Sequence, residues 1–109
     1  MGETRWPSEW LRGVLELCVL GVLADGPTYG YAIAQRLADV GLGAVKGGTL
    51  YPLLARLEAD RLVESSWHAG EGGPGRKYFT LTRAGKAHLH ERAELWGAFT
   101  GTVRKLMES

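Results

Sequence analysis

With a single cysteine, Cys18, the chain can close no internal disulfide. Cys18 stands among Leu17, Val19 and Leu20, where a core thiol fits better than a redox sensor, so the compartment is read as reducing cytoplasm. No uninterrupted apolar stretch approaches the roughly 18 residues of a membrane span; Leu17 to Leu20 already ends at Gly21. Met1 to Trp10 mixes polar and aromatic residues, unlike a secretion signal, which runs basic and then apolar. The net charge of +1 is too small to announce a nucleic-acid partner by itself, so such a claim must rest on where the charges lie. No internal repeat or low-complexity tract is present. His88 and His90, two apart on a helix, face different ways and cannot chelate one ion. The glycine run GEGGPG has neither a buried parallel strand before it nor a helix start after it, as a nucleotide loop needs. No nucleophile, base and orienting group assemble, so the expectation is a protein that is not an enzyme and holds no metal or cofactor.

What is present suffices for one domain with one core: 109 residues, 45% of them hydrophobic. Ser8 to Ala24 carries Leu11, Val14, Leu15, Cys18 and Val22 at helical spacing, with a second apolar line through Leu17, Leu20 and Leu23. An apolar surface this wide predicts a helix covered on more than one side. Asp25-Gly26-Pro27 stops it, and Thr28 is expected to cap a second helix over Tyr29 to Val40, ended by Gly41. Thr49 is expected to cap a third helix reaching Asp60. Its inner face is Leu50, Leu53, Leu54 and Leu57, which leaves Tyr51, Pro52, Ala55 and Arg56 outside. Pro52 is placed in the first turn, where amides have no partner within the helix. Leu62 to Trp67 and Lys77 to Leu81 read as an antiparallel hairpin with the long tip HAGEGGPGR. Thr82 then caps a helix over Arg83 to Met107, with Leu89, Ala93, Trp96, Phe99, Val103 and Leu106 in steps suited to packing against another helix. A second copy of the chain is the natural cover for that face.

Three helices, a hairpin and a last long helix make a mostly α chain with a small β-hairpin, an α+β fold of the winged helix-turn-helix kind. The division expected is a DNA-binding domain over 1–82 and a dimerisation helix over 83–109, with the helix at 8–24 also contributing to the dimer. Small three-helix domains also serve as protein-binding modules, so an adaptor without a DNA role is a second reading. Charge placement favours DNA: Lys46 precedes the third helix, and Arg76 and Lys77 are read as standing at the hairpin tip, where phosphates would lie. Arg56 and Arg61 add to the basic side, against Glu58, Asp60, Glu64 and Glu71.

The segments LRGVLELCVLGVLADGPTYGYAIAQRL, GGTLYPLLARLEADRLVESSW and GGPGRKYFTLTRAG, at this separation, resemble the PadR family of transcriptional regulators over nearly the whole chain. The resemblance implies a dimeric repressor that binds a roughly palindromic operator and is released by a small effector. It places Thr49, Tyr51 and Pro52 at the DNA-facing start of the recognition helix, Tyr29 and Tyr31 near phosphates, and Arg76 and Lys77 on the wing. The chain departs from the commoner pattern at Arg61, where glycine is usual, and at Gly75 and Phe79, where proline and tyrosine are frequent.

The single long helix after the wing resembles the short subfamily, in which an aromatic on that helix lines a flat pocket at the dimer centre. Trp96 matches it, with Leu11, Leu15, Arg92 and Phe99 as neighbours, for an aromatic or hydrophobic ligand. Periodicity alone favours Trp96 as dimer core over a ligand platform. Gly97 and Gly101 either bring two helices close or leave space beside the indole, and Trp6 and Trp10 either cap the pocket or anchor to the partner. Tyr51 has a structural alternative, packing on the second helix, and Arg76 and Lys77 have another, an ordinary solvated hairpin.

Overall fold

A computed structural model describes residues 6–70 and 72–108. The segment before Trp6, Glu71 and the last residue lie outside the described residues, and with them Glu71's place among the acids and the first half of the N-terminal stretch read against a secretion signal.

Among the described residues the order is α1 (Ser8–Leu23), β1 (Thr28–Tyr29), α2 (Gly30–Asp39), α3 (Gly47–Ala59), β2 (Val63–Gly70), β3 (Gly73–Leu81) and α4 (Arg83–Met107). The leucine stripe of α3 does what its spacing predicts. Leu50, Leu53, Leu54 and Leu57 are buried against Val19, Leu20 and Leu23 of α1, Ile33 and Leu37 of α2, and Val63, Phe79 and Leu81 of the sheet. Cys18 packs at the edge of this cluster, and burial pushes its thiol pKa up, away from a reactive thiolate.

Three expectations about helix starts are corrected. Thr28 does not cap α2; it pairs with Phe79 as part of a two-residue strand, and Tyr29 stands at the N-cap position without a side-chain cap. Thr49 lies inside α3, whose N-cap position is Lys46, again without a side-chain cap. The physical reason is that the backbone helix already closes at Lys46, whose carbonyl accepts from both the Thr49 and Leu50 amides at 2.9 Å. Pro52 therefore sits in the second turn rather than the first, where its missing N–H leaves the Gly48 carbonyl without its usual donor.

The wing also differs from the expected hairpin. The sheet is three-stranded, in the order β1-β3-β2. Pairing continues from Val63–Leu81 to Gly70–Gly73, so the glycine-rich span is mostly ladder rather than loop. Pro74 and Gly75 fall where the register shifts between His68 and Gly70, a bulge that accommodates a residue without an amide donor.

Thr82 caps α4 as predicted, its hydroxyl accepting from the Gly85 amide at 2.9 Å. That hydroxyl also donates to the Arg61 carbonyl at 2.7 Å, and the Thr82 amide donates to the Leu62 carbonyl at 3.1 Å. Gly85 is pressed against the same Leu62 carbonyl so closely that a Cβ there would overlap it. The first turn of α4 is thus seated on the turn that ends α3.

Candidate nucleic-acid interface

The exposed start of α3 meets the start of α2 through one contact. A Cβ on Gly30 would fall 2.5–2.7 Å from the ring and hydroxyl of Tyr51, so the ring lies over α2 in this position only because residue 30 has no side chain. Tyr51 nevertheless keeps 53% of its surface exposed. The ring therefore packs on the second helix, as the structural alternative for Tyr51 has it, and leaves its outer edge to solvent. Tyr31, 70% exposed, follows Gly30 on the same helix start. Lys46, Thr49 and Pro52 are exposed around Tyr51.

Tyr29 extends the cluster onto the sheet. Its ring is tilted against Tyr78 at 5.3 Å, and the Arg76 guanidinium lies 4.5 Å over it. A cation stacked on an aromatic face keeps its charge while losing much of its freedom. Arg76 therefore reaches the α2 start and does not stand at the hairpin tip; it pairs across the strands with His68, and Lys77 with Trp67. The expected tip placement of both is corrected, because the ladder runs on past them to Gly73.

Lys77 lies on the opposite face of the ribbon, 3.5 Å from Glu58 at the end of α3. Glu58 also accepts from the Ser65 hydroxyl. That hydrogen bond, assisted by Lys77 and opposed by burial, holds the Glu58 carboxyl below the ordinary glutamate range. Arg56 is turned toward α1, 3.5 Å from Glu16, whose other oxygen is 3.8 Å from His88 of α4. Among the described residues, Lys46 and Arg76 make no ion pair and Arg56 and Lys77 each make one. The N-termini of α2 and α3, uncapped by side chains, present the positive end of the helix dipole beside this surface.

A second concavity lies between α1 and α4. Trp6, Trp10, Leu11, Leu42, Trp96 and Phe99 are among the walls of a groove of about 560 Å³. Trp6 is tied over one end by donating to the Gly41 carbonyl at 2.9 Å. A smaller hollow of about 230 Å³ on the other side of Trp96 includes Glu16 and Arg92. Trp96 and Phe99 are shared by both, their rings 6.1 Å apart. Leu15 lines neither; it packs, partly buried, against the main core. Within the single chain Trp96 is the wall of an open groove rather than filled core.

Residues 19–91 match the family model described as the Transcriptional regulator PadR-like family. The chain belongs to the PadR-like family. It is a transcriptional regulator and not an enzyme, with the four helices and three-stranded sheet of the PadR-like winged helix. A PadR family transcriptional regulator from Eggerthella lenta is 40% identical and superimposes with a TM-score of 0.84, over 93% of this chain and 88% of its own. The Transcriptional regulator Rv3488 of Mycobacterium tuberculosis is 39% identical over 83 residues, 76% of each protein. Bacillus subtilis PadR, whose structure is a complex with operator DNA, is 28% identical with a TM-score of 0.68, over 73% of this chain and 45% of that one. Among the described residues, no helix of this PadR-like chain is long and apolar enough to cross a membrane.

Three residues of this PadR-like surface escaped the sequence reading. Tyr78, beneath Tyr29, was legible only as a strand residue, because its partner is brought by a two-residue strand. Gly30 was hidden in GPTYGY, since only the tertiary contact with Tyr51 shows why it lacks a side chain. Trp67 was read as the end of a strand; the alternation Val63, Ser65, Trp67 would have placed it on the helix side of the wing.

Proposed function

We propose that the chain is a homodimeric repressor that binds a roughly palindromic operator with the α3 start in the major groove. The observation that carries this is the unbroken cluster Tyr51, Gly30, Tyr29 and Arg76. It joins recognition helix, preceding helix and wing into one exposed surface with two helix N-termini and Lys46 beside it. Thr49, Tyr51 and Pro52 face bases and groove walls, while Tyr29, Tyr31, Lys46 and Arg76 hold phosphates. Arg56 and Lys77 join them by exchanging Glu16 and Glu58 for phosphate. The operator complex of the Bacillus subtilis relative supports the same use of this fold.

In this reading residues 1–82 form the DNA-binding domain and α4, within 83–109, the dimer helix, assisted by α1, in a protein that works in the cytoplasm. Trp10, Leu95, Trp96, Phe99, Leu106 and Met107 are exposed large apolar residues of those two helices, a surface suited to a second copy. The groove at Trp96, Phe99 and Leu11, with Arg92 in the hollow across Trp96, takes a flat, hydrophobic effector. Such a ligand releases DNA by binding better to one spacing of the two reading heads than to the spacing of about 34–36 Å that successive major grooves require.

A gel shift on the chain's own promoter region tests the reading. Tyr51→Ala and the double change Arg76→Ala with Lys77→Ala are each expected to abolish a specific shift; a shift that survives both leaves the adaptor reading in its place. For the effector, quenching of tryptophan emission by planar aromatic compounds should be lost in Trp96→Phe, and its persistence would remove the indole from the ligand site.

A further inference from the structure

Trp67 is 73% exposed near the middle of β2. Register fixes the face on which it stands. Val63, Ser65 and Trp67 alternate onto one side of the ribbon, opposite Leu81, Phe79 and Lys77. The first rungs of that face are buried under the helices, and the next is tied to α3 by Ser65 and Lys77 meeting at Glu58. Trp67 is the next side chain outward, on the side of the wing that packs against the end of α3. Arg76, His68 and Tyr78 occupy the opposite side, with Tyr29.

The surroundings of the indole are polar or bare. Its cross-strand neighbour is Lys77, its strand neighbours are Ser66 and His68, and the nearest glycine, Gly75, would bring a Cβ only to 3.8 Å from the ring edge. Trp67 lines neither of the hollows between α1 and α4, so it stands apart from the surface suited to a second copy. An isolated indole across the strands from a lysine, whose ammonium reaches back to Glu58, does not resemble a protein-binding patch, which would be contiguous and apolar. It matches an apolar sugar face beside a phosphate, the chemistry that a duplex presents next to an occupied major groove.

We propose that Trp67 is a DNA-contacting residue: its indole lies on the sugar edge of the duplex flanking the recognition helix, while Lys77 takes the adjacent phosphate. This rests on the DNA reading above. The contact adds affinity and fixes the angle of the wing, and it carries little base information.

The experiment uses the full chain and a short duplex that the wild-type protein recovers from a random pool. Trp67→Ala should weaken binding about ten-fold, the size of one lost aromatic anchor. The salt dependence and the melting temperature should stay as in wild type, and Trp67→Phe should lie between. Lys77→Ala should instead lower the slope of log affinity against log salt by about one. As a second readout, the quenching of tryptophan emission on adding the duplex should shrink in Trp67→Phe. Binding by Trp67→Ala within about two-fold of wild type, or undiminished quenching in Trp67→Phe, overturns the contact while the DNA reading stands. Recovery of no duplex by the wild-type chain overturns the DNA reading and the contact together.

Discussion

Arg61 is the one non-glycine among the described residues with a positive φ, at 61°. It closes α3 in the left-handed position that glycine occupies without cost, with the Leu62 amide bonded back to Leu57 at 3.0 Å and its own amide to Glu58 at 3.0 Å. Arg61→Gly is therefore expected to stabilise the fold by about 1 kcal/mol and to raise the melting temperature by about 4 °C in a thermal scan. Gly30→Ala should act in the opposite way, on function rather than on fold. The added methyl meets the movable, half-exposed end of Tyr51, so the ring swings off α2. Stability should change by less than about 1 kcal/mol, whereas specific DNA affinity should fall about ten-fold in the gel shift, one contact's worth.

At the scale of elements, the Glu58 tie between α3 and the wing has a pH signature. Its carboxyl titrates below the ordinary glutamate value of about 4.3, so its contribution is fully present above that value and is lost as pH falls through the lower, folded one. Glu58→Gln should melt below wild type at neutral pH, and the two melting temperatures should converge on acidification below about pH 4. An unchanged gap at low pH would remove the titration from the explanation. The helices were legible in the sequence because their evidence is local: the leucine stripe of α3 and the Thr82 cap depend on residues three and four apart. The strand β1 was not legible, since Thr28 and Tyr29 are a strand only through Phe79 and Tyr78, some fifty residues on. The wing was read too short because Gly70, Gly73 and Gly75 look like a loop until cross-strand pairing orders them. In the candidate site, the residue types were legible but their partners were not. Nothing in the local pattern says that Arg76 stacks on Tyr29, or that Arg56 and Lys77 are drawn to Glu16 and Glu58.

For the molecule as a whole, the test is association. Leu106 is 88% exposed near the far end of α4, on a helix whose outer half has little of its own chain against it. On the proposed dimer reading, Leu106→Glu should shift the sedimentation of the chain from dimer to monomer, and DNA binding should lose its dependence on two half-sites. The fold of each copy should stay intact, because the side chain touches no core residue. An unchanged dimer would move the interface elsewhere.

The seat of α4 on the turn after α3 has a mechanical meaning. Gly85 and Thr82 rest on the backbone of Arg61 and Leu62, the end of the reading helix, so that junction is a fulcrum and α4 is the lever arm. A helix of 25 residues extends about 37 Å, so a tilt of about 5° at the fulcrum sweeps its free end through about 3 Å. In the proposed effector mechanism, a flat ring wedged beside Trp96, midway along the arm, would tilt α4 and so turn α3.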